Sequence, residues 1–211
     1  RAALAVVRLL LEGGLALGLE QVTRMAWTCH VGLKMSEDET WGKLKPFFED
    51  RLRYLLGMRG LAYDEIEAGL GATGSPLDAR PALARRVRAI HDVREDPELL
   101  SVVLSFKRLT NILKDAAETS LPAQPDEGAL ASDAERALLR SRTELEKELA
   151  AARKSDDYRL ALSAVGRFAA PLDRFFVEVL VMDPDPVVRR NRLGLLAAIR
   201  SSIATAADLS A

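Results

Sequence analysis

Side chains able to do acid–base, nucleophilic or metal chemistry are sparse in this chain. It carries two histidines, His30 and His91, and one cysteine, Cys29. His91-Asp92 spells the dyad of phosphohydrolase metal sites. Such a site needs further His and Asp ligands spread over several helices, and His30 is the one other imidazole. A solvated His-Asp pair on a basic helix is the simpler reading. Gly69-x-Gly71-x-x-Gly74 has dinucleotide-loop spacing, but it follows a helical pattern rather than a strand and reads as a loop. Neither a Gly-x-x-x-x-Gly-Lys-Ser/Thr phosphate loop nor a nucleophile elbow is present. Paired carboxylates are plentiful, yet they fall on charged helix faces, where solvation is the default role. No catalytic residue, bound cofactor or metal ligand is therefore expected within these residues. Cys29 cannot close an internal disulfide and reads as a small core residue, which suits a reducing cytoplasm.

The distribution of charge is more informative. Thirty basic residues nearly balance 31 acidic ones, for a net charge of -1, so any nucleic-acid footprint must be local. Residues 80–94 hold Arg80, Arg85, Arg86, Arg88 and Arg94 against Asp92. Residues 99–114 hold Lys107, Arg108 and Lys114 with no acid, and 187–207 hold Arg189, Arg190, Arg192 and Arg200 with no acid. The acids gather elsewhere, notably over 126–148. At 100° per residue, Leu99, Val102, Val103, Phe106 and Leu113 share one stripe. Lys107, Asn111 and Lys114 follow at i, i+4 and i+7 along its flank, and Arg108 points nearly opposite the core. Two cations and an amide on one flank suit phosphates and base edges; the plainer alternative is a solvated helix face. Arg192 aligns instead with Leu196, Ile199 and Ile203, which predicts a partly buried guanidinium paired with Asp173 or Asp183. Arg189 and Arg190 stand at the exposed start of the same helix, against its dipole. Trp27, Trp41 and Phe175-Phe176 read as buried anchors rather than stacking platforms.

The elements that position these groups are helical almost throughout, because apolar residues recur at three and four rather than two. The expected fold class is all-α: a helical bundle over 76–211 preceded by a smaller helical region over 1–75. Helices are predicted over 1–12, ended by Gly13-Gly14; around Leu19–Met25; from Pro46 to Gly57 or Gly60; from an Asp64/Glu67 cap to Leu70; and over 78–94. Asp96-Pro97 is an N-cap with proline at the first helical position and opens 98–118. Gly71–Pro76 is predicted as a loop and Ser120–Ala131 as a linker. Ser132 with Glu135 forms a capping box for a helix to about Ala152. Asp156 is predicted to cap a helix from Tyr158 to about Met182, kinked at Pro171. Asp183-Pro184 is predicted to open the last helix, to about Ala207. At 211 residues with 48% hydrophobic side chains, a core can form without disulfides or metal. No run approaches the ~20 apolar residues of a membrane span. The start, Arg1-Ala2-Ala3-Leu4, is neither a signal peptide nor an initiating methionine, and the chain reads as part of something longer.

Several ordered motifs resemble one family. Phe106-Lys107-Arg108-Leu109-Thr110-Asn111-Ile112-Leu113 resembles the "KR-x-x-NIL" helix of the bacterial glycyl-tRNA synthetase β subunit. Asp157-Tyr158, Ala161-Leu162 and Pro171-Leu172-Asp173-Arg174-Phe175-Phe176-Val177-Glu178-Val179-Leu180-Val181-Met182 resemble its "P-V-D-x-F-F-D-x-V-M-V-M" segment. Asn191-Arg192-Leu193-Gly194-Leu195-Leu196 resembles "NRLALL", and Ala207-Asp208-Leu209-Ser210 resembles "ADIS". Phe47–Leu52, Asp64–Ala68 and Arg1–Glu12 are similar too, and residues 15–45 match least. The resemblance implies a DALR-type anticodon-binding helical domain, like that of arginyl-tRNA synthetase. It also implies tRNA-Gly and a catalytic α subunit as partners, with ATP and Mg²⁺ serving the full enzyme outside these residues, in the cytoplasm. Neither membrane nor DNA is an expected partner.

Combined with the charge pattern, this makes Lys107, Arg108, Asn111, Lys114, Arg189 and Arg190 the expected tRNA contacts. Lys107, Lys114, Arg189 and Arg190 would anchor phosphates, and Asn111 would reach a base or sugar. The alternative is a helical scaffold that docks the catalytic subunit without reading RNA, with the acidic helix 132–152 as its discriminating feature.

Overall fold

The structure is a computed structural model that describes residues 1–13, 15, 17–72, 81–116, 121–122 and 124–209. The regular elements among them are helical: α1 Ala2–Glu12, α2 Leu19–Thr28, α3 Glu37–Gly57, α4 Tyr63–Leu70, α5 Pro81–Val93, α6 Pro97–Asp115, a 3-10 turn at Glu127–Ala129, α7 Asp133–Ser155, α8 Tyr158–Arg167, α9 Ala169–Glu178 and α10 Pro186–Ala204. They form two compact units, which divide between His91 and Asp92. The expected boundary at 75/76, Gly74 of the glycine motif, Arg80, the end of helix 98–118, and Ser120 and Ser210 lie outside the described residues.

The first unit is built on α3, against which α1, α2 and α4 pack. Its core joins Val7, Leu10 and Leu11 of α1, Leu19 of α2, Phe48, Leu52, Leu55 and Leu56 of α3, Ile66 and Leu70 of α4, and Leu83 and Val87 of α5. Helix α3 starts well before the predicted Pro46. Ser36 accepts from the Glu39 N–H and the Glu39 carboxylate accepts from the Ser36 N–H, closing a capping box. Pro46 lies inside the helix, where a missing N–H costs about 3 kcal/mol. Burial of the four α3 core side chains, at roughly 1.5–3 kcal/mol each, outweighs that cost. Gly60 follows α3 at φ +81, the left-handed conformation that ends a helix without Cβ strain. The cap of α4 is also displaced. Ala62 is the N-cap and Glu65 reaches back 2.8 Å to its N–H, so the predicted Asp64/Glu67 pair is out of register by two.

In the second unit α6 and α7 each pack against α8, α9 and α10. The core gathers Leu99, Val102, Phe106 and Leu109 of α6, Leu138, Leu145 and Leu149 of α7, Leu162 and Val165 of α8, Leu172 and Phe175 of α9, and Leu193, Leu196, Ile199 and Ile203 of α10. Asp96 accepts from the N–H groups of Glu98 and Leu99, and Ser132 with Glu135 closes the predicted box at α7. Asp156 does not cap α8. It ends α7 in the left-handed region at φ 53, and Asp157 is the N-cap. The single kinked helix predicted from Tyr158 is two helices broken at Phe168, because Pro171 has no N–H for the Arg167 carbonyl. The last helix starts at Asp185-Pro186 rather than Asp183-Pro184 and stops at Ala204.

Candidate nucleic-acid interface

On α6, burial of Leu99, Val102, Phe106 and Leu109 turns the opposite flank outward. Lys107, Arg108, Asn111 and Lys114 are all exposed on it, as the heptad-like spacing predicts. The Arg108 guanidinium lies 4.5 Å above the ring of Phe176 from α9. A stacked guanidinium keeps its charge while its plane is fixed, which lowers the entropy cost of a further contact. The four residues thus form a cationic strip, with exposed Asp115 beside Asn111 and Arg108 at the end of α6, on a helix held rigid by the core.

Arg189 and Arg190 stand on the first turn of α10. Arg190 is exposed. Arg189 is half-buried and donates to the Asp183 carbonyl at 3.1 Å, so part of its donor capacity is spent on holding the α9–α10 turn. The structure therefore brings four of the six expected contacts onto one strip and sets two on another helix.

Arg192 is buried and paired, as its place on the core stripe predicts. Its Nε donates to Glu135 at 2.8 Å and its Nη1 to Asp183 at 2.7 Å and to the Leu180 carbonyl at 2.9 Å. Glu135 is fully buried and also accepts from the Ser132 N–H. Burial acts to raise the Glu135 carboxyl, but the bonds from Arg192 and Ser132 outweigh it and hold the group below the ordinary glutamate range. The backbone N–H of Asp185, and then Arg192, hold Asp183 low as well. Burial works to lower the Arg192 guanidinium, and its two carboxylates prevail and raise it. Asp173, the other partner considered for Arg192, accepts instead from Ser101 and Ser105 of α6. Asn191 is buried and exchanges two bonds with the backbone of Asp126, 2.7 Å from its N–H and 2.9 Å to its C=O. Asp173, Asn191 and Arg192 sit in the motifs that carried the family resemblance, and each ties helices or turns together rather than facing solvent.

His91 and Asp92 do not act as a pair. His91 Nδ1 lies 3.0 Å from both oxygens of buried Glu65, and Asp92 meets Arg159 at 3.3 Å. Among the described residues no three His, Cys, Asp or Glu groups are placed to hold a metal ion. Cys29 is exposed at the end of α2 rather than in the core. Trp27 and Trp41 are half-buried, and Phe175-Phe176 are core.

The DALR anticodon binding domain matches residues 102–209, from the first turns of α6 to past the end of α10. The chain belongs to that family. Over its whole length it is 35% identical to the glycine–tRNA ligase beta subunit of Ruegeria sp. (strain TM1040), 34% to that of Nitrosomonas europaea and 32% to that of Desulforamulus reducens. The chain spans less than a third of the length of these curated relatives. The DALR match contains the whole α6 strip and the start of α10, and the resemblance read from the ordered motifs is borne out.

Proposed function

We propose that this chain is the tRNA-binding part of a glycine–tRNA ligase β subunit, and that its second unit binds the anticodon arm of tRNA-Gly. The observation that carries this is the anticodon-binding family match over 102–209, with an exposed cationic strip on its first helix. Lys107 and Lys114 anchor phosphates and Asn111 gives a directional contact. Arg108, stacked on Phe176, offers a flat cation to a loop base, and Arg190 with Arg189 extends the phosphate contacts from α10. RNA readers take unstacked loop bases on their edges and faces, and an anticodon loop supplies them. The helices before 76 precede this domain in the chain. Glycylation with ATP and Mg²⁺ takes place outside these residues, together with an α subunit and in the cytoplasm. The scaffold alternative is not favoured, since the matched family is named for anticodon binding.

The test is binding of the purified chain to a tRNA-Gly transcript and to an anticodon-swapped copy across a salt series. The expected result is preference for the native anticodon, with affinity falling as salt rises. Equal or absent binding to both would overturn the anticodon reading and restore the scaffold.

A further inference from the structure

Helix α3 carries a second stripe besides the one that builds the core of the first unit. At 100° per residue, Lys43, Phe47, Arg51, Tyr54 and Met58 fall within about 80° of one another. Phe48, Leu52, Leu55 and Leu56 turn to the core, which leaves this stripe outward. Phe47, Tyr54 and Met58 are 42, 56 and 64% exposed. Large apolar side chains scattered singly over a surface need no explanation, but three at helical spacing on one stripe form a patch. Cations are interleaved with them. The Arg51 guanidinium lies 3.5 Å over the Phe47 ring and donates to the Phe47 carbonyl at 3.1 Å. The carboxylate beside it, Asp50, is 4.0 Å away and lies nearer to Arg53, at 3.4 Å. Lys43 is exposed, and its ammonium meets the sulfur of Met35 at 3.3 Å.

We propose that this stripe is a stacking platform for unpaired nucleotides of the bound tRNA outside its anticodon arm, an inference that rests on the tRNA-binding function above. Proteins that hold single-stranded RNA without reading its sequence combine cations for the backbone with aromatic faces for the bases. Helix α3 has both. Phe47 and Tyr54, two turns or about 10 Å apart along the axis, offer rings to two bases. Arg51 adds a flat cation whose plane is fixed by its stack on Phe47. Lys43 supplies charge for a phosphate, and Met58 extends the apolar surface. A seam for a partner helix would place aliphatic side chains at these heptad positions and would gain nothing from a guanidinium at its centre. Every base has a π face, so the platform accepts any sequence. It adds affinity for the RNA and leaves discrimination among tRNAs to other contacts.

The experiment measures binding of the full chain to three RNAs: a tRNA-Gly transcript, its isolated anticodon stem-loop, and an oligouridine of about ten nucleotides, within the usual site size of single-strand binders. Phe47→Ala with Tyr54→Ala should weaken tRNA and oligouridine binding on the order of tenfold for each base that loses its ring. The same variant should bind the stem-loop as the unaltered chain does. Phe47→Tyr with Tyr54→Phe keeps both rings and should bind all three RNAs normally, which separates stacking from a fault in folding. Undiminished binding of tRNA and oligouridine by the alanine variant would overturn the platform. If that variant instead lost association with a ligase α subunit, the stripe would be a protein-docking face. Failure of the unaltered chain to bind oligouridine, with stem-loop binding intact, would remove the platform and leave the tRNA-binding reading standing. Failure to bind tRNA and stem-loop alike would remove both.

Discussion

Replacing Glu135 by glutamine keeps the shape of the side chain, turns one of its two acceptor oxygens into an amide donor and removes one charge from a buried ion pair of the second unit. Glu135 is fully buried and Arg192 is 7% exposed, so solvent screening does little for either. The change leaves the Arg192 guanidinium with Asp183 and the Leu180 carbonyl alone. Breaking a buried pair by neutralising one member costs about 3–5 kcal/mol; because Asp183 persists, the lower end, about 3 kcal/mol, is expected. The capping box survives, since glutamine can still accept from the Ser132 N–H. Urea unfolding followed by far-UV circular dichroism measures the loss. Trp27 and Trp41 both lie in the first unit, so their fluorescence does not report this transition directly. The pH dependence gives a second reading. Glu135 is held low in the folded state, so its stabilisation is fully present above the unfolded value near 4.3 and is lost as pH falls through the folded value. Glu135→Gln should therefore show a shallower loss of stability below about pH 4.3 than the unaltered chain. A variant within 1 kcal/mol of the original at pH 7, with an unchanged acid profile, would refute the assignment of Arg192–Glu135 as the structural tie between α7 and α10.

Three further outcomes follow from the same geometry. Lys107→Glu with Lys114→Glu should weaken tRNA-Gly binding with little loss of helicity and lower the salt slope by about 0.7 for each phosphate no longer neutralised; unchanged affinity would retire the α6 strip. Asn191→Ala should cost about 0.5–1.5 kcal/mol for each of the two bonds lost to the Asp126 backbone, read as a lower urea midpoint; a neutral result would mean that the Asp126 turn is held by other contacts. Gly69→Ala would bring a methyl within 2.5 Å of Val87 Cγ2 and should destabilise the first unit by about 1–3 kcal/mol. Val87→Ala should restore part of that loss in the double variant, and thermal melts of the four proteins test it.

Much of the fold was legible because helices advertise themselves locally. Asp96-Pro97 and Ser132/Glu135 state their caps within four residues, and the Leu99–Val102–Phe106 stripe declares which flank of α6 faces out. That flank carries the candidate contacts, so the strip of Lys107, Arg108, Asn111 and Lys114 could be read from periodicity and charge alone. The errors fall where two local signals compete. Asp183-Pro184 and Asp185-Pro186 are equivalent as sequence. The second opens α10 because the Asp183 carboxylate is taken by the Asp185 N–H and by Arg192, a partner nine residues on. Pro46 is a fair helix start by local rules and loses to the earlier capping box at Ser36 and to a buried α3 face.

The tertiary structure alone decided the partners. Arg192 on a core stripe predicts that some carboxylate pairs with it. Glu135, 57 residues away, could not be chosen over Asp173 without knowing that α7 rather than α9 meets α10 at that level. Arg142 and Glu146 read as an ordinary i, i+4 surface pair on an acidic helix. Only the approach of α10 and of the Leu121–Pro122 and Gln124 segment buries the arginine and turns the pair into the wall of a cleft. Local spacing fixes which face of a helix is apolar or charged. Which faces meet, and which charges are thereby desolvated, depends on contacts between residues far apart in the chain.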